Sequence, residues 1–530
     1  MRLHAIRRFL PVFFILLLFI SVFAATTSKL SFRFDTDYKT VFPGIEMAIS
    51  MYKDPGTLQF WNPLMGLGVP MIGDPSNLLL SFWSMPFFLL FDADIGLRVL
   101  ICTMMLLSGF CMWYFLKRIK MSDHVASWGA ILYSISGSYA ALVTSGRLER
   151  FASYAITPYA FALLWQKKLT TIQMIALGLV FTSMNLSLDI YTPWLISVCF
   201  VVLTGYRLIK KEVSTVDTVK TFVVVYGTFI VFSLPKILPF IFIVKPYFMR
   251  PLYSDYYQGS IQAFLMPLLY WIPLRVPFYD RPFFQRTLGF HFNWYEYFAF
   301  ISPLPFIFYL RMKKMFTDRN VRYCLVLLFT GAAYLSLRYW YSPFFWFFKW
   351  FQPIQMFRVP QRIGSVMTVP VIVLACVCLN NWIKNANTRI RTMLIIIALS
   401  SIIWTAVVSF RTMSDAFEPF RQQEYTAAQR LRFTDSSKFY VLDMTCCMQP
   451  FLYEQAIPVL NYYYGWTPSY TVNLLGITED GIDRRQLRNV KPRYIITDKE
   501  QSYADLGYYV GMTEGNIRIW QTDNPTIQPL

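Results

Sequence analysis

The first 410 residues alternate long apolar runs with short polar or basic segments. A helix that crosses a bilayer needs about 20 apolar residues in succession. Residues 1–410 are therefore predicted to form a mainly α-helical, polytopic transmembrane bundle. The pattern predicts about eleven spans, at residues 9–27, 95–116, 124–143, 152–166, 171–188, 190–206, 219–244, 294–310, 321–338, 363–382 and 392–410.

Two other apolar segments allow more than one interpretation. Residues 78–91 are apolar, but a span there would invert the sidedness of every later loop. We interpret this run as a re-entrant or interfacial segment. The first run, 9–27, follows Arg7 and Arg8 and precedes small residues, so a cleaved signal peptide is an alternative to a retained helix. Both interpretations place the loop that begins at residue 26 on the extracytoplasmic side.

The pattern changes after residue 410. Short strand-like runs at 439–443, 493–497, 508–512 and 517–520 are separated by polar segments. Residues 411–530 are therefore predicted to form a small extracytoplasmic α/β domain.

Charge supports the membrane prediction and sets an orientation. Only 15% of the residues are charged, and 55% are hydrophobic, whereas a soluble chain has about a quarter charged residues. The net charge of +19 suggests nucleic acid at first sight, but residues 411–530 carry 12 basic and 14 acidic residues, so the excess lies in the apolar part. There it falls in short clusters between spans, as the positive-inside rule describes. This predicts a cytoplasmic (inner) membrane protein with its N-terminus inside and its C-terminal domain outside, and no nucleic-acid partner.

Three predicted outer loops are long enough to carry function. The first, 29–94, has a net charge of −3, from 4 basic and 7 acidic residues. The second, 245–293, and the third, 339–362, are basic and aromatic, against the topological bias. Anchoring to membrane headgroups is one interpretation of these cations. The other is a pocket for a lipid-linked phosphate, since guanidinium forks match phosphate oxygens. The candidate phosphate ligands are Arg286, Arg338, Arg358 and Arg362.

Asp35 and Asp37 follow the first span closely. A carboxylate at the outer interface is suited to act as a general base on an acceptor hydroxyl, and two nearby acids also suit a divalent cation. Two solvated acids near a helix N-terminus are the alternative. Asp74, before Pro75, has the alternative role of capping the following helix. The chain has three histidines and no CxxC pair, so neither a zinc cluster nor a Ser/His/Asp triad is indicated.

These motifs carry a resemblance to a known family. An Asp after the first span, then a Trp-Asn-Pro…Gly-x-Pro…Asp-Pro block, resembles the first outer loop of YfhO-type membrane proteins, which belong to the GT-C superfamily of glycosyltransferases. The late Phe-Arg-Val-Pro-x-Arg stretch and the tail strand are similar as well. The matching residues are Asp35, Asp37, Trp61, Asn62, Pro63, Gly66, Gly68, Pro70, Asp74, Pro75, 357–362 and 491–498.

The resemblance implies a fold and a reaction. It implies transfer of a sugar from a polyprenyl-phosphate donor to an envelope glycan, lipid or protein, outside the membrane and with inversion. Asp37 is then the base, and Asp35 the second acid or a ligand for Mg²⁺, Mn²⁺ or Ca²⁺. Asp189 stands near where relatives often carry a histidine between middle spans. The residues implied in substrate binding are Trp61, Asn62, Asp74, Glu149, Asp189 and His291.

Two alternatives remain at this stage. An ion-pair network that stabilises the turn is the other role for Glu149 and its arginine neighbours at 147 and 150. For the whole chain, a transporter, flippase or polysaccharide-assembly protein without transfer chemistry is the other function. Transporters show internal repeats and acids at the bilayer midplane. The sequence has no clear repeat and few acids within spans, which favours the enzyme.

Overall fold

The structure is a computed structural model that describes part of the chain, and the statements below concern that part. The described residues are 3–32, 38, 42, 45, 48–49, 61–62, 69–70, 81, 83–187, 189, 191–239, 242, 299–335, 362–419, 421–434, 441–443, 477–478, 481–482, 492–497, 502–514, 516–523 and 525.

The described residues are mostly helical, which confirms the predicted fold class. In chain order the α-helices are α1 Leu3–Thr27, α2 Met85–Leu90, α3 Ala93–Arg118, α4 Asp123–Ser134, α5 Gly137–Ser145, α6 Phe151–Leu164, α7 Thr171–Leu186, α8 Tyr191–Ile209, α9 Thr215–Pro239, α10 Arg319–Leu335, α11 Ile363–Asn385, α12 Thr388–Ser414 and α13 Gln422–Thr434. Short 3-10 segments lie at Leu148–Arg150, Leu304–Met315 and Ala504–Leu506.

Six described helices are long and apolar enough to cross a membrane. They are Phe9–Thr27, Ala93–Arg118, Tyr191–Ile209, Thr215–Pro239, Ile363–Asn385 and Thr388–Ser414. Helices α6 and α7 are apolar but shorter. All eight coincide with predicted spans. The interpretation of residues 78–91 as a segment that does not span agrees with α2, whose six residues are too few to cross a bilayer.

Large apolar side chains cover the outer faces of several of these helices. Leu18 on α1 is 66% exposed, Val223 on α9 is 66% exposed and Ile403 on α12 is 65% exposed. Contiguous exposed apolar surface is rare on soluble proteins. Such faces suit contact with lipid tails.

Local sequence explains where individual helices begin. Thr170 and Gln173 form a capping box at the start of α7, with each side chain bonded to the other's backbone N–H. Asn387 caps α12 by accepting the N–H of Ile390 at 3.0 Å. Polar caps therefore restart the chain as a helix after two of the turns.

Helix α11 lies in the core. Its buried residues run almost continuously from Ile363 to Asn380. Gly129 on α4 allows a close approach here, because a Cβ atom at this position would lie 2.5 Å from Cys376 Sγ. The six described cysteines are free, and five are buried, in keeping with small apolar packing.

Two predicted spans need correction. Residues 124–143 do not form one helix, because the chain breaks between α4 and α5, where Ser136 is extended. The Gly137 N–H donates to the Phe300 carbonyl at 2.6 Å instead of to its own helix. The predicted α-helix at 294–310 is also wrong in its described part. Residues 299–303 are not helical and 304–315 are 3-10. Pro303 and Pro305 lack the N–H that an α-helix requires there.

Contacts between helix termini identify two opposite ends of the bundle. The end of α3 contacts the start of α4 through Lys117 and Asp123, and the Ser122 N–H donates to Asn380 at the end of α11. Trp165, after α6, donates to Asn320 at the start of α10 and packs on Phe115. Since the predicted cytoplasmic basic clusters adjoin these termini, we call this the basic end.

The other termini meet at the opposite end. Arg98 near the start of α3 donates to the Thr27 carbonyl at the end of α1. Thr144 near the end of α5 donates to the Thr412 carbonyl near the end of α12. The starts of α6, α8 and α11 also lie here, and we call it the Arg362 end. Spans therefore alternate in direction, as the predicted topology requires.

The tail forms the predicted sheet. Strands β5 Val441–Asp443, β8 Tyr494–Thr497, β9 Tyr509–Glu514 and β10 Ile517–Gln521 make a four-stranded sheet of order β5-β8-β10-β9. Its β5–β8 pair is parallel and the others are antiparallel. All four runs predicted as strands are confirmed. Two-stranded pairs join β1 Ser31–Phe32 to β4 Phe417–Glu418, β2 Trp61–Asn62 to β3 Val69–Pro70, and β6 Ile477–Thr478 to β7 Gly481–Ile482.

Contacts divide the chain into two compact units. Unit 1 comprises Met1–Ser28, Arg98–Ser233 and Leu252–Ala416, and contains most of the helices. Unit 2 comprises Lys29–Leu97, Leu234–Pro251 and Phe417–Leu530. The first outer loop and the tail thus belong to one unit.

Candidate functional site

Only some of the predicted site residues lie in the described part of the chain. Asp189 and Arg362 are described with their side chains, and Trp61, Asn62 and Glu149 are described by their backbone alone. The remaining predictions lie outside the described residues: Asp35, Asp37, Asp74, Arg286, His291, Arg338 and Arg358.

In unit 2, described residues on both sides of the two candidate acids are buried. Phe32 and Tyr38 are buried, and their ring centroids lie 4.5 Å apart. Phe32 also packs on Phe417 at 4.6 Å, where β1 pairs with β4. Residues 35 and 37 fall between Phe32 and Tyr38 in the sequence. Further along, the antiparallel pairing of Trp61 with Pro70 brings the two ends of the Trp-Asn-Pro…Gly-x-Pro block together.

In unit 1, Asp189 caps helix α8. One carboxylate oxygen, Oδ1, accepts the N–H groups of Tyr191 and Thr192, each at 3.0 Å. An aspartate at this position satisfies N–H groups that have no partner within the helix. The residue is only 1% exposed. Its other oxygen, Oδ2, lies 4.0 Å from Nε of Arg150.

Arg150 reaches from one helix start to another. The chain turns at Gly146, whose φ of 74° favours glycine, and Arg150 then closes the 3-10 turn that leads into α6. Its Nη2 donates to Ser365 Oγ at 2.7 Å and to the Arg362 carbonyl at 3.3 Å. One buried guanidinium therefore links the starts of α6, α8 and α11.

Arg362 lies directly before α11. Its guanidinium carbon lies 4.1 Å from the centre of the Tyr191 ring, which is cation–π geometry. We refer to Arg150, Asp189, Tyr191, Arg362 and Ser365 as the Arg362 cluster. It holds two guanidinium groups against one carboxylate, so the cluster is net positive. A positive group of this kind suits an anion such as a phosphate.

Metal binding is supported by no described group. No cluster of three or more His, Cys, Asp or Glu side chains that would hold an ion occurs within the described ranges. Asp35, the proposed ligand, lies outside them. A divalent cation therefore stays a prediction.

The structure adds partners that the sequence did not single out as site residues. Arg150 appeared only as a member of a turn cluster, and Tyr191 and Ser365 had no role. Arg150 and Ser365 are 215 residues apart, so no local pattern connects them. The available sequence signal was that Arg150 stands at a helix terminus predicted to lie outside, against the positive-inside trend.

Comparison with known proteins gives a fold. No protein-family model and no curated protein sequence matches the chain. Among solved structures, ArnT from Cupriavidus metallidurans in the apo state is similar over 98% of both chains, with a TM-score of 0.54 and 11% identity. The undecaprenyl-phosphate-bound form of that protein matches with a TM-score of 0.52 and 11% identity, over 96% of this chain and 97% of the other. A mutant of the mycobacterial arabinofuranosyltransferase AftD matches with a TM-score of 0.52 and 10% identity, over 98% of this chain and 42% of the other. The chain thus shares its fold with these solved structures.

Proposed function

We propose that this chain is an integral membrane glycosyltransferase of the YfhO-like branch of the GT-C superfamily. It transfers a sugar from a polyprenyl-phosphate donor to an envelope glycan, lipid or protein. The observation that carries the proposal is the similarity of the fold to ArnT over 98% of both chains, together with the net-positive Arg362 cluster. ArnT has been solved with undecaprenyl phosphate bound.

In this proposal Asp37 removes the proton from the acceptor hydroxyl as the acceptor attacks the anomeric carbon. The bond from that carbon to the phosphate oxygen breaks, and the configuration inverts. Because a lipid phosphate is a good leaving group, a single carboxylate base suffices. Asp35 is the second acid or a cation ligand. Phe32 and Tyr38, which flank both acids in the sequence, are buried.

The leaving phosphate needs cationic partners. Arg362 serves here, with Arg286, Arg338 and Arg358 as further candidates from the two basic loops. Guanidinium groups stabilise charge that develops on the departing phosphate. Trp61, Asn62, Asp74, Glu149 and His291 remain candidates for binding the sugar or the acceptor.

The proposed location is the cytoplasmic membrane, with the basic end inside and the Arg362 end outside. This orientation follows from the basic clusters near the termini that meet at the basic end. It places the donor phosphate at the outer surface, where envelope acceptors are reached.

A panel of donors tests the proposal. Purified protein is incubated with polyprenyl phosphates that carry different sugars, and release of free polyprenyl phosphate is measured with and without membrane lipid extract as acceptor. With at least one sugar, we expect release of polyprenyl phosphate that depends on the acceptor. The anomeric configuration of the product should be inverted relative to the donor. Absence of release with every sugar, by protein that is folded and binds the carrier, would contradict the proposal.

A further inference from the structure

Arg362 is held at both its backbone and its side chain by residues of the Arg362 cluster. At the backbone, its carbonyl oxygen accepts two hydrogen bonds, one from Nη2 of Arg150 at 3.3 Å and one from the Ser365 hydroxyl at 2.9 Å. Ser365 Oγ itself accepts Nη2 of Arg150 at 2.7 Å. The first residues of α11 are thereby fixed to the start of α6.

The side chain is held by an aromatic face. The Arg362 guanidinium lies over Tyr191 at 4.1 Å. Stacking sets the plane of a guanidinium, and its N–H groups point outward within that plane. The direction of the N–H fork therefore depends on where the Tyr191 ring lies.

Asp189 closes the connection. It fixes Tyr191 through the helix cap, and its second oxygen lies 4.0 Å from the same Arg150 that holds the Arg362 backbone. The side chains of Arg150 and Asp189 are 6% and 0% exposed, so water screens this ion pair little. The contacts form a closed circuit from Arg150 through Arg362, Tyr191 and Asp189 back to Arg150.

We infer that Arg150, Asp189 and Tyr191 are positioning residues that hold the Arg362 guanidinium in one orientation for the phosphate of a polyprenyl-phosphate ligand. The inference rests on the proposed function, in which Arg362 binds the donor phosphate. In this inference, Asp189 helps to orient the arginine that binds the phosphate and does not contact the sugar. A preorganised guanidinium loses less freedom on binding than a mobile one, which strengthens binding.

The test compares two lipids that differ only in charge. Purified full-length protein in detergent is titrated with undecaprenyl phosphate and with undecaprenol, which lacks the phosphate. Tyr191→Leu removes the aromatic face and should weaken binding of the phosphate about fivefold, without changing binding of the alcohol. Tyr191→Phe keeps the face and should bind both lipids as the wild type does. Thermal unfolding of each variant verifies that it is folded.

A second variant and a double-mutant cycle keep the test decisive. Arg150→Lys keeps the charge but loses the planar guanidinium, whose Nη2 donates to Ser365 and Arg362 while Nε faces Asp189. It should therefore also lose affinity for the phosphate alone. In an Arg362→Ala background, Tyr191→Leu should add no further loss, since its effect passes through Arg362.

Three results would overturn the inference: unchanged phosphate binding in Tyr191→Leu and Arg150→Lys, equal losses for phosphate and alcohol, or wild-type binding that does not distinguish the two lipids. Binding that follows the expected pattern without any sugar transfer would support the inference and contradict the enzyme proposal.

Discussion

In unit 1, Arg207 and Arg362 each lie near a helix terminus, at opposite ends of the bundle. The two arginines are held in different ways. Arg207, near the end of α8 at the basic end, is 4% exposed. Its Nε donates to Tyr323 Oη at 3.0 Å, Nη1 to the Gln166 carbonyl at 3.0 Å, and Nη2 to the Leu164 carbonyl at 2.6 Å. Two nitrogens thus bond to the end of α6 and the third bonds to α10.

Charge compensation at Arg207 is indirect. The Tyr323 hydroxyl donates to Glu212 Oε2 at 2.7 Å, and Lys167 lies 3.7 Å from the same oxygen. Burial raises the pKa of Glu212, but the hydrogen bond from Tyr323 and the nearby Lys167 and Arg207 outweigh it and hold the pKa below its usual value. The network fastens the end of α6 to α8 and α10.

Arg362 has different contacts: its backbone carbonyl accepts hydrogen bonds from Arg150 and Ser365, and its guanidinium lies over the Tyr191 ring. The bonds of Arg207 fasten helix ends together, and stacking on Tyr191 orients the guanidinium of Arg362. The comparison teaches that burial of an arginine does not identify a binding site: Arg207 is buried and fastens helices, whereas Arg362, the proposed phosphate ligand, is only partly buried. Changes at Arg362 and its contacts should therefore affect ligand binding, and changes at the basic end should affect stability.

The largest effect is expected from Asp37→Asn. The amide cannot accept a proton, so sugar transfer should fall about 1000-fold while expression and thermal unfolding stay as in the wild type. Radiolabelled transfer and unfolding curves measure the two properties. Asp35→Asn is the paired variant; full activity in both would remove the first outer loop from the chemistry.

Next in size is Arg207→Met. It leaves the Leu164 and Gln166 carbonyls and the Tyr323–Glu212 pair without their buried cation, which should lower the free energy of unfolding by about 3 kcal/mol. Denaturant unfolding in mixed micelles gives the value. Lys168→Met, on a side chain that is 75% exposed at the same end, is the control and should change little. A fully stable Arg207→Met protein would remove the distinction between the two arginines.

Arg362→Ala should weaken binding of undecaprenyl phosphate about tenfold, because it removes charge-assisted hydrogen bonds to the phosphate. It should leave the free energy of unfolding much less affected than Arg207→Met does. Arg389→Ala, an exposed arginine near the basic end, serves as the control in the same binding titration. If Arg362→Ala and the wild type bound undecaprenyl phosphate with equal affinity, Arg362 would instead be assigned to anchoring at membrane headgroups.

The smallest effect concerns pH at the basic end. Because the pKa of Glu212 is lower in the folded protein than its usual 4.5, its ionised form contributes stability above that pH, and the contribution is lost as the pH falls through the folded pKa. Glu212→Gln should therefore make stability less dependent on pH below about 4.5. Unfolding curves at a series of pH values for both proteins test this. Identical slopes would show that the carboxylate is not coupled to folding.

The sequence predicted most of the helices, since apolar runs of span length are a local signal. It also predicted all four strands of the tail sheet. It missed the break at Ser136, because the bond from Gly137 to Phe300 joins residues far apart in the sequence. It also missed the 3-10 segment after Pro303, although Pro303 and Pro305 are a local signal against an α-helix.

At the candidate site, the sequence identified Asp189 and Arg362 as separate candidates. It did not connect them, because Arg150 and Tyr191 join them only once α6, α8 and α11 pack together. Composition and periodicity report which segments are helical and which face lipid. They do not report which helix termini meet.

Transfer of the sugar itself tests the central proposal most directly. Wild-type protein in sealed proteoliposomes receives an acceptor and one of the polyprenyl-phosphate sugars that proved active in the panel. The sugar of this donor carries the radiolabel. We predict that the label moves to the acceptor and that free polyprenyl phosphate appears in equal amount. Label that crosses the membrane while still attached to its lipid carrier would contradict the proposal and identify a flippase.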